Sequence, residues 1–199
     1  MEYNLIRIIQ IYKSMKKIIV VFLTGLSFSA FCANLFADST TVHNYVGAEV
    51  CGLCHKTEKQ GNQLDLWKKS RHSQAFHTLL TEKANKIAKD KGFSKSAAQT
   101  PECLKCHATG YDLPTERMGS KFNVTDGVQC ETCHGPGSEY RSLHIMKNRE
   151  LSEKNGLFIP DSKEEFCKGC HNEESPTFVS FDFEKAWGEI SHPVPEINK

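Results

Sequence analysis

The chain contains four groups of the form Cys-x-x-Cys-His: Cys51-Gly-Leu-Cys54-His55, Cys103-Leu-Lys-Cys106-His107, Cys130-Glu-Thr-Cys133-His134 and Cys167-Lys-Gly-Cys170-His171. Two thiols three residues apart lie about one helical turn from each other, so each can add to one of the two vinyl groups of a haem. The His that follows then offers its imidazole to the iron. One such group alone also fits a zinc site or a redox dithiol. Four copies, using eight of the nine cysteines, do not, because a zinc ribbon has no need of a His after every second Cys. The expected chemistry is covalent attachment of four c-type haems, with His55, His107, His134 and His171 as proximal ligands.

Nine histidines are present, and five remain: His43, His72, His77, His144 and His192. A haem iron accepts a sixth ligand, and an imidazole there gives a low-spin centre with little reorganisation on electron transfer. His72 shares a helical face with Leu64, Ala75 and Leu79, a suitable place for a ligand to a buried iron. His144 follows Gly135-Pro136-Gly137, and His192 stands in Ser191-His192-Pro193. These three are the expected distal ligands. His77 lies five residues past His72, about 140° around a helix, so the two cannot serve one iron. It either ligates a different haem or faces solvent. His43 remains an open candidate near the N-terminus expected after processing.

The elements that must position these residues read as mostly helical. Residues 62–91 lack Pro and internal Gly, with Asn62 as N-cap and Gly92 as stop, and are expected to form one long helix. A second helix is expected from Ser138 to Asn148, a third led by the Ser162/Glu165 capping pattern into Cys167, and a short one from Phe183 to Glu189. Segment 110–128 is turn-rich and holds a small hairpin at most; no run alternates as a strand should. The apolar inventory is thin for a core. The expected fold is therefore a mostly α, compact multihaem chain with little regular sheet, its core built from four covalently bound haems. The motif starts are spaced 52, 27 and 37 residues apart, which is no solenoid period.

The N-terminus reads as an export signal. Lys16 and Lys17 precede the apolar run Ile18–Phe31, too short to span a membrane. Cleavage is expected after Ala37, with Ala33 as second choice, and the signal begins most naturally at Met15. An uncleaved anchor is the alternative; Cys32 lacks a lipoprotein context. Residues 1–37 are thus assigned to a signal peptide and 38–199 to one tetrahaem domain. Processing removes Cys32, Arg7, Lys13, Lys16, Lys17 and Glu2, leaving eight cysteines, 21 basic and 23 acidic side chains. An acidic chain carrying haem propionates is not expected to bind nucleic acid. No transmembrane span is expected after cleavage, and location is expected to be periplasmic or otherwise exported.

The order of the motifs, with Trp67-x-x-x-x-His72 in "WKKSRHSQAFHTL" after the first, "CLKCHATGY", "GVQCETCHGPG" with a downstream His, and "CKGCH", resembles the tetrahaem cytochrome c-554 family over roughly residues 46–192. The resemblance implies a periplasmic electron carrier associated with hydroxylamine oxidation. It also implies a ligand set: His144 distal to the haem at Cys51 and Cys54, His72 to that at Cys130 and Cys133, and His192 to that at Cys167 and Cys170. The haem at Cys103 and Cys106 would be five-coordinate. The chain differs in being shorter at its C-terminus and in having His77 and His43, either of which can close that second haem.

Nothing else in the chain reads as catalytic: no nucleophile–base pair, phosphate loop or spaced carboxylate dyad stands out. The expected role is electron transfer between redox partners, with a hydroxylamine-oxidoreductase-like enzyme or a membrane quinone oxidoreductase as candidates. One alternative is a haem enzyme that binds or reduces a small nitrogen compound such as NO at an open second haem. Another is a subunit of an extracellular haem filament, with His43 reaching a neighbouring chain. The oligomeric state is left open.

Overall fold

Short helices joined by hydrogen-bonded turns make up residues 42–192, the part of the chain that the computed structural model describes. The expected signal peptide, with Cys32 and its cleavage points, lies outside the described residues. In chain order the helices are α1 (Ala48–Gly52), α2 (Gln63–Lys69), α3 (Ala75–Thr78), α4 (Glu82–Asp90), α5 (Pro101–His107), α6 (Cys130–His134), α7 (Leu143–Met146), α8 (Arg149–Lys154), α9 (Lys163–Lys168) and α10 (Phe183–Ile190). Single 3-10 turns occupy Glu58–Gln60, Ala97–Gln99, Thr115–Arg117 and Val124–Asp126. Among the described residues the only β pairing is an isolated parallel bridge between Tyr45 and Met118, so the expectation of little sheet holds.

The long helix expected over 62–91 is divided into α2, α3 and α4. Serines divide it. Ser70 leaves helical geometry (ψ 161°) while its hydroxyl donates to the Trp67 carbonyl, and the Ser73 hydroxyl donates to the carbonyls of Lys68 and Ser70. Hydroxyls that bond nearby carbonyls give the backbone an alternative to the helical ladder. Thr81 then starts α4 by accepting from the Ala84 N–H. Gly92, with φ 84°, ends the run as expected. The helix expected from Ser138 to Asn148 is reduced to α7, with Asn148 capping α8 through the Leu151 N–H. The capping position at Ser162 is occupied as expected, its hydroxyl accepting from the Glu165 N–H, and α10 runs one residue past its expected end.

The interior is sparse in large apolar groups. Fully buried apolar residues among those described are Val46, Ala48, Leu64, Leu79, Ala88, Ala97, Ala108 and Tyr140, half of them alanines. One cluster gathers Leu79, Ala88 and Ala97 with Phe93 and Leu104, packing α4 against α5. The largest side chains less than 2% exposed are Gln129, Glu131 and Ser152, all polar. The described residues do not close on a conventional hydrophobic core.

Gly47 shows how tightly the N-terminal segment is seated. Its φ of 93° with ψ of 151° is a region reserved for glycine, and a Cβ there would lie 2.6 Å from the Lys121 carbonyl oxygen. Gly47→Ala is expected to lower the unfolding free energy by about 1–3 kcal/mol, the cost of holding a non-glycine residue in that region, read by chemical denaturation.

Candidate functional site: the four Cys-x-x-Cys-His turns

All four motifs adopt a helical turn. Cys51 lies in α1, with Cys54 and His55 in the turn after it, where the His55 N–H donates to the Cys51 carbonyl at 3.0 Å. Cys103, Cys106 and His107 lie within α5, and Cys130, Cys133 and His134 within α6. Cys167 lies in α9, with Cys170 and His171 in its closing turn, the His171 N–H donating to the Cys167 carbonyl at 3.0 Å. The turn brings both thiols of a motif to one side, as attachment to one macrocycle needs.

All eight of these cysteines are free of disulfides. Burial pushes the Cys133 thiol up to about 11 and the Cys170 thiol up to about 12, so both are neutral thiols at neutral pH. The Cys51 thiol lies beside that of Cys130, and this neighbour, with burial, pushes it far above the ordinary range. Cys170 likewise lies beside Cys106. The first motif therefore adjoins the third, and the second adjoins the fourth. Among the described residues no three His, Cys, Asp or Glu side chains gather as a structural zinc site would.

Four imidazoles lie in two close pairs, one tilted at 55° and one edge-on at 68°. The rings of His72 and His171 have centroids 6.1 Å apart, and those of His134 and His192 are 6.0 Å apart. Two imidazoles on opposite faces of one metal ion, with bonds of about 2.0–2.1 Å as at zinc, have ring centres roughly 6 Å apart. Burial pushes His72 and His134 below the usual imidazole range, and the neighbouring His171 and His192 add to that effect. Neutral imidazole is the form that ligates metal. The pairing is the reverse of the one the resemblance implies: His72 lies beside His171 of the fourth motif, and His192 beside His134 of the third. Long-range bonds anchor the His72 segment. Trp67 donates from Nε1 to the Val128 carbonyl at 2.8 Å, and the Val128 N–H donates to the His72 carbonyl at 2.9 Å. These bonds fix the backbone of the His72 segment beside the third motif, and its ring meets the fourth.

The other histidines are distributed differently. His55 has its Nδ1 3.3 Å from Gln63 Oε1, and His107 has its Nδ1 2.7 Å from the Ala75 carbonyl and 3.2 Å from Thr78 Oγ1, both on α3. Such contacts fix the tautomer and leave Nε2 for a metal. His171 is stacked on Phe181 at 4.7 Å. His144 is exposed on α7, 3.4 Å from Ser142 Oγ, and has no ring contact among the described residues. His77 is exposed on α3 and meets Phe76 and the charge of Asp126. The His43 ring packs on Gly156, its Nδ1 buried without a partner, while Arg117 donates to its carbonyl.

Sequence reasoning passed over Glu131 and Gln129. Glu131, 1% exposed, accepts from the N–H groups of Val46 (2.8 Å), Gly47 (2.8 Å) and Gly137 (2.7 Å). Burial pushes its carboxyl upward while these bonds pull it down. Gln129 accepts from the Ala48 N–H at 3.0 Å and donates to the Asn123 carbonyl at 2.8 Å. The only sequence signal was a charged residue between the two cysteines of a motif.

Residues of these types, so arranged, fit covalently held c-type haem: unpaired thiols on helical turns, imidazoles paired at the spacing of a shared iron, and little apolar core of their own. A largely helical chain with such turns is a c-type cytochrome. The family model described as cytochrome c554 and c-prime matches residues 50–135, which takes in the first three motifs. The chain is also 30% identical over 141 residues to the protein named cytochrome c-554 of Nitrosomonas europaea, an alignment covering 64% of this chain and 57% of that protein. No solved structure matches. Both matches are to cytochromes of the c-554 type, and the family-model match falls on the segment that holds the first three Cys-x-x-Cys-His turns.

Trp67→Phe removes the donor to the Val128 carbonyl and unties the His72 segment. It is expected to cost about 1–2 kcal/mol of stability, the range for a lost bond with an orphaned acceptor, measured by denaturant unfolding.

Proposed function

We propose that the chain is a periplasmic electron-transfer protein carrying four c-type haems, one on each Cys-x-x-Cys-His turn. The observation that carries this reading is the two close pairs of imidazoles at 6.1 and 6.0 Å, which suit two six-coordinate, low-spin irons. On this reading His171 and His72 share the fourth haem, His134 and His192 the third, and His144 serves the first with His55. The thiol contacts between first and third motifs, and between second and fourth, support haems close enough for electrons to hop. Export rests on the leader at residues 1–37. No helix among the described residues is long and apolar enough to cross a membrane. Soluble redox enzymes or a quinone-linked membrane partner are the proposed exchange partners.

One observation favours a second reading, in which a small nitrogen compound binds at the second haem. α3 holds His107 by Nδ1, the nitrogen turned away from an Nε2-bound iron. His77 sits on that same helix, exposed beside Phe76, and the His43 ring is packed against Gly156. Neither arrangement supports closure of the second haem.

Two outcomes test these readings. The intact mass of the exported protein should equal the processed chain plus four haems; fewer would refute the assignment. CO added to the reduced protein should bind at one haem in four, and His77→Ala should leave that fraction unchanged. If His77→Ala is what opens the site to CO, the second reading fails.

A further inference from the structure

The four motifs differ in the charge of the residues between their cysteines. The second contains Lys105, the fourth Lys168 and the third Glu131, while the first contains none. The lysines are exposed and already paired: Lys105 with Glu174 at 2.5 Å, and Lys168 with Glu164 at 2.9 Å and Glu165 at 3.0 Å. Water screens such pairs, and their fields largely cancel. Glu131 is different. It is buried, and among the described residues it forms no ion pair.

Its surroundings show its charge state. Oε1 accepts from the N–H groups of Val46 and Gly137, and Oε2 accepts from those of Val46 and Gly47. Both oxygens face donors, which leaves no acceptor for an acid proton. A carboxylate, which only accepts, satisfies this arrangement. Arg117 points its guanidinium at the His43 carbonyl and lies 6.0 Å from the Tyr45 ring centre. The field of Glu131 acts on the thiols of both Cys51 and Cys130, the attachment points of the first and third motifs. In a low-dielectric interior a single unpaired charge outweighs several solvated ones.

We propose that Glu131 is a potential-setting residue: a buried, unpaired carboxylate between the first and third Cys-x-x-Cys-His turns that lowers the reduction potentials of the two haems attached there. A negative charge disfavours the added electron. The first and third haems are therefore the low-potential pair, and electrons pass from them to the second and fourth. This rests on the haem placement proposed above.

The test is a potentiometric titration of the full holoprotein, followed by visible absorption and EPR. Glu131→Gln keeps the size of the side chain and removes the charge; two of the four midpoints should move to higher potential and two should stay. Glu131→Asp, which keeps the charge, should retain the wild-type order. Gln129→Leu loosens the same segment without changing charge and should leave all midpoints in place. Wild-type midpoints in Glu131→Gln overturn the proposal, as does an equal shift in Gln129→Leu, which would make geometry the cause. If Glu131→Gln does not load haem, His192→Met in the wild-type background decides. Thioether ligation raises a haem's potential, and the midpoint that moves should be one of the two lowest. Movement of one of the two highest overturns the proposal. The wild-type haem count is read first: fewer than four refutes the placement itself, and so separates that failure from failure of the charge argument.

Discussion

The N–H groups of Val46, Gly47 and Ala48 stand at the head of the first haem-binding turn, where a helix has no acceptors of its own. Glu131 takes the first two and Gln129 the third, across more than 80 residues of chain. The same carboxylate takes the Gly137 N–H, and so holds the Gly135-Pro136-Gly137 loop as well. Gln129 is itself held by the Thr109 hydroxyl at 2.7 Å, just past the second motif. Three of the four attachment turns are thereby joined through three buried polar side chains, Glu131, Gln129 and Thr109, the last accepting from the Gln129 backbone N–H. Leaving such donors unpaired would cost about 1–3 kcal/mol each, so the network is strict about the position of every partner.

That strictness compensates for what the chain lacks. Helices of four to nine residues are too short to be stable alone. Their buried apolar residues are half alanine, and among the described residues the one apolar cluster holds together α4, the turn Ala97–Gln99 and α5. Bulk that a conventional domain takes from Leu, Ile and Phe must come from elsewhere, and covalently held macrocycles supply it without needing pockets of their own. The polypeptide then acts less as a container than as a set of clips, each a turn of helix fixed by side-chain bonds to another clip.

Much of this was legible in the residues. The motifs, their helical turns, the scarcity of strand and the thin core all follow from spacing and composition. The continuous helix over 62–91 did not form, because periodicity registers apolar positions and is blind to Ser70 and Ser73, whose hydroxyls bond the carbonyls around them. Which imidazoles lie together was not legible either. Counting histidines says how many are left over, but where the His72 ring sits goes with the anchoring of segment 70–73 to Val128, a contact 55 residues away or more that no local pattern encodes. Glu131 was hidden for a different reason: the positions between the two cysteines look like spacers, and only burial reveals one of them as an anchor.

The contact that fixes His107 carries a further consequence for the second motif. An imidazole has two nitrogens, and a helix that occupies Nδ1 decides which face of the ring remains for a metal. α3 occupies it doubly, with a backbone carbonyl and the Thr78 hydroxyl. His77 belongs to the same four-residue helix, exposed and next to Phe76. His43 has its carbonyl bonded to Arg117 and its ring seated where Gly156 has no side chain. Among the described residues the second motif is thus set apart by its surroundings rather than by its own spacing: its histidine alone is held at Nδ1 by two groups of one short helix.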